Sequence, residues 1–300
     1  MISVIIPFLN EAENLPELVK RLDGVFAQMK ETYELILIDD GSTDNYHDML
    51  PKMPEIKLIK HRKRSGKGRA LESGFAKAKG EIIVFMDADL QDDPDDLPRF
   101  IEKLNDGYDF VNGWRKERID PISKTLPSSI FNYFLLKKML KSSYHDINCG
   151  FKAMKREVLE GFVFYGDNYR FLPILVHRQG YKTTEVIVTH HPRVHGVSKY
   201  GFFRIFFGFF DTLTTYFINS FAEKPLHFFG PVGGISFVAG FVITFFLTIE
   251  RLFFGVELYK RPLLLAGIFL MIVGLQIVMT GIIGELVVYL HKNQGAKKVS

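Results

Sequence analysis

The sequence predicts a doubly wound α/β domain followed by two C-terminal membrane helices. Three observations carry that expectation. Short continuous apolar runs at residues 2–6, 35–38 and 82–86 read as strands buried on both faces of a parallel sheet. Segments of helical period lie between them, at 13–29 and 68–79. Residues 225–249 and 262–284 contain no Asp, Glu, Lys or Arg, and about 20 apolar residues span a bilayer core as a helix.

The first helical segment carries Leu15, Leu18, Val19, Leu22, Val25 and Phe26 as one apolar stripe. Asn10 is expected to cap it, with Glu13 three residues later as in a capping box. Strand, helix, strand, helix, strand implies right-handed crossovers. In such sheets ligands bind beyond the carboxyl ends of the strands. Residues 200–211 are almost wholly aromatic or aliphatic, with Arg204 and Asp211 the only charges, and read as a helix in the headgroup zone. Gly and Ser inside the two spans allow close helix packing, and a homo-oligomer is expected. Lys292, Lys297 and Lys298 favour a cytosolic tail. The first residues lack the basic region of a signal peptide.

The expected organisation is therefore a cytosolic domain over 1–200, an amphipathic juxtamembrane segment over 201–224, two spans within 225–291 (about 225–249 and 262–286), and a basic tail over 292–300. The location expected is the inner (cytoplasmic) membrane, multi-pass. Composition excludes several other classes. Of 300 residues, 47% are hydrophobic and 24% charged, so wholesale disorder is out. Cys149 is the single cysteine, which excludes an internal disulfide and a thiolate zinc site. A net charge of +4 makes no case for a nucleic-acid partner, and none is expected.

The residues that end each strand are the informative part. The first runs into Pro7-Phe8-Leu9-Asn10-Glu11, the second into Asp39-Asp40-Gly41-Ser42, and the third into Asp87-Ala88-Asp89-Leu90-Gln91. Carboxylates crowded at one edge repel unless a cation sits among them. Hard oxygen ligands suit Mg²⁺ or Mn²⁺, which shares its remaining positions with phosphates. Singly, these motifs are also turns and helix caps: Asp-Gly-Ser is a turn sequence, and Asp92, Asp93, Asp95 and Asp96 suit a helix N-terminus. A dinucleotide-binding fold fails, because Gly66-Lys67-Gly68 follows the second predicted strand and Leu71 takes the third glycine position. His190, His191 and His195 are interrupted by Pro192 and read as interfacial polar residues rather than metal ligands.

In this order the motifs resemble inverting family 2 glycosyltransferases of the GT-A fold, and more narrowly the polyprenyl-phosphate (dolichol-phosphate) sugar synthase group. Gly113-Trp114-Arg115, Asp146 with Gly150-Phe151-Lys152, Tyr169-Arg170-Phe171-Leu172-Pro173 and Arg193 with Gly196-Val197-Ser198-Lys199-Tyr200 continue the pattern. The resemblance implies that Pro7, Glu11, Asp39 and Asp40 contact the base and ribose of a nucleotide-sugar, with Asn10, Lys67 and Asp87 completing the donor site. Asp89 and Gln91 would bind the metal, with Asp87 close by. Asp87, Asp89, Arg115 and Asp146 are expected at the reaction centre. Arg115, Arg118, Lys124, Ser128, Asn132, Arg193, Ser198 and Lys199 would face the phosphate of a membrane lipid acceptor. The family usually has Arg where Lys124 stands, and Lys holds phosphate only as a point charge. The implied donor leans to a uridine-diphosphate sugar, with GDP-mannose open. Two other readings stand beside this one. A processive polysaccharide synthase would carry a Gln-x-x-Arg-Trp motif, which does not surround Trp114. A silent membrane adaptor that binds nucleotide-sugar or lipid would not need an intact Asp-Ala-Asp-Leu-Gln.

Overall fold

Val4, Ile6 and Phe8 of the first strand pack into one apolar cluster, and Ile5 between them packs into another. That alternation explains the uninterrupted hydrophobic run: both faces of the strand are covered. The computed structural model describes residues 1–116, 144–192, 213–214, 216–217, 220–255 and 262–296. Its chain divides into two units, Met1–Thr212 and Leu213–Ser300.

In the first unit the described elements run β1 (Ile2–Phe8), α1 (Leu15–Met29), β2 (Tyr33–Asp39), β3 (Ile56–Lys60), α2 (Lys67–Phe75), β4 (Ile82–Phe85), α3 (Leu97–Asn105), β5 (Phe110–Trp114), β6 (Lys152–Lys155), α4 (Arg156–Glu160), α5 (Leu172–Arg178) and β7 (Thr183–Ile187). They form a seven-stranded sheet in the order β3-β2-β1-β4-β6-β5-β7. The three strands expected from the apolar runs are β2, β1 and β4, and they lie side by side in parallel register, with Ile5 opposite both Ile36 and Phe85. β6 runs antiparallel to both β4 and β5. The sheet is thus mixed. Leu18, Leu22 and Phe26 of α1 and Phe100 and Leu104 of α3 bury one face, while Leu71 of α2, Val158 of α4 and Leu172 and Val176 of α5 bury the other.

Several local expectations change. The α1 cap is Asn14, not Asn10. Asn10 adopts a left-handed φ of 52°, and its Oδ1 accepts from Thr43 N at 2.7 Å while its own N donates to Ser42 Oγ at 2.9 Å. Asn tolerates that conformation better than most residues, and the side chain ties two loops together instead of closing a helix. Helix α2 stops at Phe75 rather than 79. β3 was not foreseen, because Lys57 and Lys60 break its apolar run and it lies at the sheet edge.

The second unit holds two long helices, α6 (Leu226–Phe254) and α7 (Pro262–Ala296). Both are long and apolar enough to cross a membrane. They extend past the expected ends, and α6 continues through Glu250 and Arg251. Their contact is made by glycine. A Cβ on Gly233 would meet Gly274 O at 2.5 Å, and one on Gly274 would meet Phe237 N at 2.5 Å. The glycines expected to bring copies together therefore serve the hairpin within one chain, where small residues let backbones approach. At its N-terminal end Leu226 N donates to Glu285 Oε2 at 3.3 Å. Phe217 packs edge-on against Phe228 and Phe229, with centroids 5.4 and 5.6 Å apart. Most of the 201–224 segment lies outside the described residues.

Candidate active site

Three loops leave the carboxyl ends of β2, β1 and β4, and the first two bond to each other. Asp40 N donates to Phe8 O at 2.9 Å, and Ala12 N donates to Asp44 Oδ2 at 2.9 Å. Pro7 lies within β1 opposite Ile38, and Glu11 Oε2 accepts from Asn14 Nδ2 at 2.7 Å.

The two Asp residues after β2 are both buried. Asp39 accepts from Ser42 N at 2.6 Å and from Tyr46 Oη at 2.9 Å. Burial opposes its charge, but the Ser42 and Tyr46 hydrogen bonds outweigh burial and hold the carboxyl below the ordinary value. Asp40 accepts from Ser65 N and Gly66 N, each at 2.8 Å, and lies 2.9 Å from His61 Nδ1. The two carboxylates therefore organise the loops around the expected nucleotide position. Asp40 orients Gly66, the cap of α2, and through it Lys67.

Lys67 reaches across to form an ion pair with Asp87, its ammonium 5.3 Å from the ring centre of Tyr169. Asp87 is the convergence point. Burial opposes its charge, yet the charges of Lys67, Arg115 and Lys152 prevail and keep it ionised. Gly150 closes one side: a Cβ there would lie 2.5 Å from Asp87 Oδ2. Leu90, between Asp89 and Gln91, has a left-handed φ of 56° and is buried. A branched residue held there marks a loop over-determined by its surroundings, as at many functional sites. Gln91 N lies 3.3 Å from Asp89 Oδ1.

Arg115 leaves the end of β5 and grips Asp146, with Nε at 2.7 Å from Oδ2 and Nη2 at 3.2 Å from Oδ1. Burial disfavours its charge, but Asp146 more than compensates and the guanidinium is held firmly protonated. Asp146 thus orients Arg115 rather than standing alone.

The histidines 190 and 191 both neighbour the acidic loop, His190 with its side chain buried and His191 with its side chain 42% exposed. His190 bridges to Asp92 in antiparallel fashion. His191 N donates to Gln91 O at 2.8 Å, and its Nε2 lies 2.7 Å from Asp93 Oδ2. Asp93 caps the following turn, accepting from Asp95 N at 2.9 Å, as its place before a helix suggests. Backbone pairing between 91–92 and 190–191, which nothing in the local sequence announces, sets both histidines beside the acidic loop.

Of the expected acceptor-side residues, Arg118, Lys124, Ser128, Asn132, Arg193, Ser198 and Lys199 lie outside the described residues, as does His195. Sequence reasoning passed over Asn112, Glu185 and Tyr169 as individual residues. Glu185 Oε1 accepts from His145 N at 3.1 Å. A strand Glu carries no signal for that bond.

Among the described residues no group of three His, Cys, Asp or Glu side chains forms a ready metal cage. Asp87 and Asp89 nonetheless offer carboxylate oxygens on one short loop, and Gln91 an amide oxygen. This donor set is hard, and it fits Mg²⁺ or Mn²⁺ shared with a phosphate ligand.

The comparisons with known proteins agree with this architecture. The model for "Glycosyl transferase family 2" matches residues 3–162. The chain is 32% identical over 296 residues to a dodecaprenyl-phosphate galacturonate synthase of Rhizobium johnstonii, covering 95% of this chain and 87% of that one. It is 32% identical over 292 residues to an undecaprenyl-phosphate 4-deoxy-4-formamido-L-arabinose transferase of Pseudomonas aeruginosa, covering 95% and 84%. Glucosyl-3-phosphoglycerate synthase from Mycobacterium tuberculosis, solved in complex with Mn²⁺ and uridine-diphosphate-glucose, shares the fold with a TM-score of 0.58 at 19% identity, over 72% of this chain and 78% of that one. A family model over more than half the chain, and relatives aligned along nearly all of it, match what the strand-end carboxylates imply: the chain belongs to glycosyl transferase family 2 and is a glycosyltransferase of the GT-A fold.

Proposed function

We infer that this protein transfers a sugar from a nucleoside-diphosphate sugar to a polyprenyl phosphate at the cytosolic face of the inner membrane, giving a polyprenyl-phosphate sugar. The observation that carries the reading is a convergence. Lys67 pairs with Asp87 beside Asp89, and the turn that brings Asp146 to Arg115 also sets Gly150 against Asp87, in a chain that also bears two membrane-length helices. The names of the relatives, which include a dodecaprenyl-phosphate and an undecaprenyl-phosphate transferase, support the acceptor class.

In this reading the loops at 9–14 and 40–45 receive the nucleoside, with Pro7, Asn10, Glu11, Asp39 and Asp40 shaping them. Asp89 and Gln91, with Asp87 close by, would hold Mg²⁺ or Mn²⁺, which when bound would neutralise the charge developing on the diphosphate. Lys67 stands at the same carboxylate to meet that anion. Asp146 fixes Arg115 so that the guanidinium faces an incoming phosphate, and residues 118, 124, 128, 132, 193, 198 and 199 complete the acceptor side. A lipid phosphate is largely dianionic at neutral pH, with a second pKa of about 6, and needs little help from a base. Its oxygen attacks the anomeric carbon, the nucleoside diphosphate leaves from the opposite face, and an α-linked donor gives a β-linked product. The task of the protein is to hold two anions in line, which positioned cations do. Self-association belongs to the same proposal and would use apolar helix faces outside the glycine seam.

The test is direct. Purified full-length protein is incubated with undecaprenyl phosphate, Mg²⁺ or Mn²⁺, and radiolabelled uridine- or guanosine-diphosphate sugars. Label passing into the organic phase with one donor is the expected result and names the sugar. Release of nucleoside diphosphate without a lipid product overturns the acceptor assignment.

A further inference from the structure

Behind Asp87 and Arg115 sits a lysine that the transfer chemistry does not reach. Lys152 opens β6 and is 2% exposed. Its Nζ donates to Asn112 Oδ1 at 2.7 Å, Cys149 O at 2.6 Å and Ile147 O at 3.1 Å. An ammonium has three protons, and here three uncharged oxygens take them. Burial pushes its pKa down to about 8, so it remains mainly charged at neutral pH. Asn112, fully buried on β5, continues the network. Its Nδ2 donates to Asp146 O at 2.7 Å and Gly113 O at 2.9 Å, and lies 3.4 Å from Glu185 Oε1.

Two side chains from adjacent strands therefore hold the carbonyls of Asp146, Ile147 and Cys149. That turn presents Asp146 to Arg115 at one end and Gly150 to Asp87 at the other. A buried cation held by neutral oxygens is expensive for a sheet interior, where an apolar residue of similar volume serves stability as well. Its geometry is aimed at the turn.

We propose that Lys152 and Asn112 are positioning residues for glycosyl transfer: they set the 146–150 turn so that Asp146 holds Arg115 toward the acceptor phosphate. This rests on the functional reading above. Neither residue touches a reacting atom. Their action passes through backbone carbonyls to Asp146, and displacements on the order of 1 Å at such a support cost up to about a hundredfold in rate.

The experiment compares full-length wild type with Lys152→Met in lipid nanodiscs, varying undecaprenyl phosphate and sugar donor separately. The expected result is an acceptor KM raised about tenfold or more, with the donor KM within about twofold of wild type. Asn112→Asp keeps an oxygen for Lys152 and loses the amide donors, so it carries the same prediction if Lys152→Met does not fold. Unchanged KM values, with kcat scaled only to the folded fraction, would overturn the proposal. Hydrogen exchange separates its failure from failure of the functional reading. If wild type makes no lipid product, faster exchange confined to residues 145–151 in either variant still supports the positioning network. Exchange identical to wild type overturns it.

Discussion

Gly150 lies where a side chain has no room. A Cβ there would press on the Asp87 carboxylate at 2.5 Å, a group already pinned by Lys67. Gly150→Ala should therefore leave the fold intact and reduce transfer by about two orders of magnitude, read as initial rate against circular dichroism of the same sample. Asp89→Ala removes one of the hard oxygen donors and should abolish turnover; near-normal transfer by that variant with Mn²⁺ supplied would refute the site. Asp39 makes a pH prediction. Its folded pKa lies below the ordinary carboxyl value, so the stability it contributes is present above about pH 4 and is lost as pH falls through the lower folded value. Urea midpoints should hold steady from about pH 7 to about pH 5 and then drop. Asp39→Asn should lower stability at neutral pH by about 1–3 kcal/mol and flatten the acid limb. At this scale Asp87 and Asp89 were legible because acidic residues directly after an apolar run sit at a strand end. Lys152 was not, because a lysine beside Ala153 and Met154 gives no sign that its strand lies inside the sheet.

Between elements, the neighbours decide more than the propensities. β6 enters the sheet between β4 and β5 and runs against both. That insertion places Lys152 opposite Asn112 and opposite Phe85, two residues before Asp87. Four residues of modest apolar character do not announce a central strand. α1, by contrast, was legible from its stripe, because 3.6-residue periodicity over 15 residues has little else to mean. Its start was not, because Asn10 finds a partner in another loop. The α6–α7 hairpin rests on glycine contacts. Gly274→Val would force a branched side chain onto Phe237 N and Gly233 O. It should cost the hairpin about 1–3 kcal/mol, as overpacking does, seen as a lower midpoint for loss of helix in detergent titrations, while substitution of exposed Phe245 should change little.

The whole chain divides at Thr212 into a unit with a sheet and a unit with two apolar helices. A polypeptide of residues 1–200, which also leaves off the aromatic segment that follows, is expected to stay in the aqueous phase in detergent partition and to bind the nucleotide-sugar. Its transfer to a lipid acceptor in vesicles should fall by at least about tenfold, since tethering to the surface supplies a millimolar-range effective concentration. Aqueous partition with full lipid transfer would show that the helices have no part in acceptor delivery.

By itself the sequence determined the class of the fold, the sheet edge that carries the candidate site, the carboxylates gathered there and the two membrane-length helices. These are local properties: periodicity, continuous apolar length and the residue types directly after each strand. Only the tertiary structure decided that Asp40 braces the loop before α2, that Asp146 belongs to Arg115, that His191 binds Asp93, and that Lys152 lies beneath the site. Each of these pairings joins residues tens of positions apart, brought close by strand order. Burial and pairing are set by that order, and no stretch of sequence contains it.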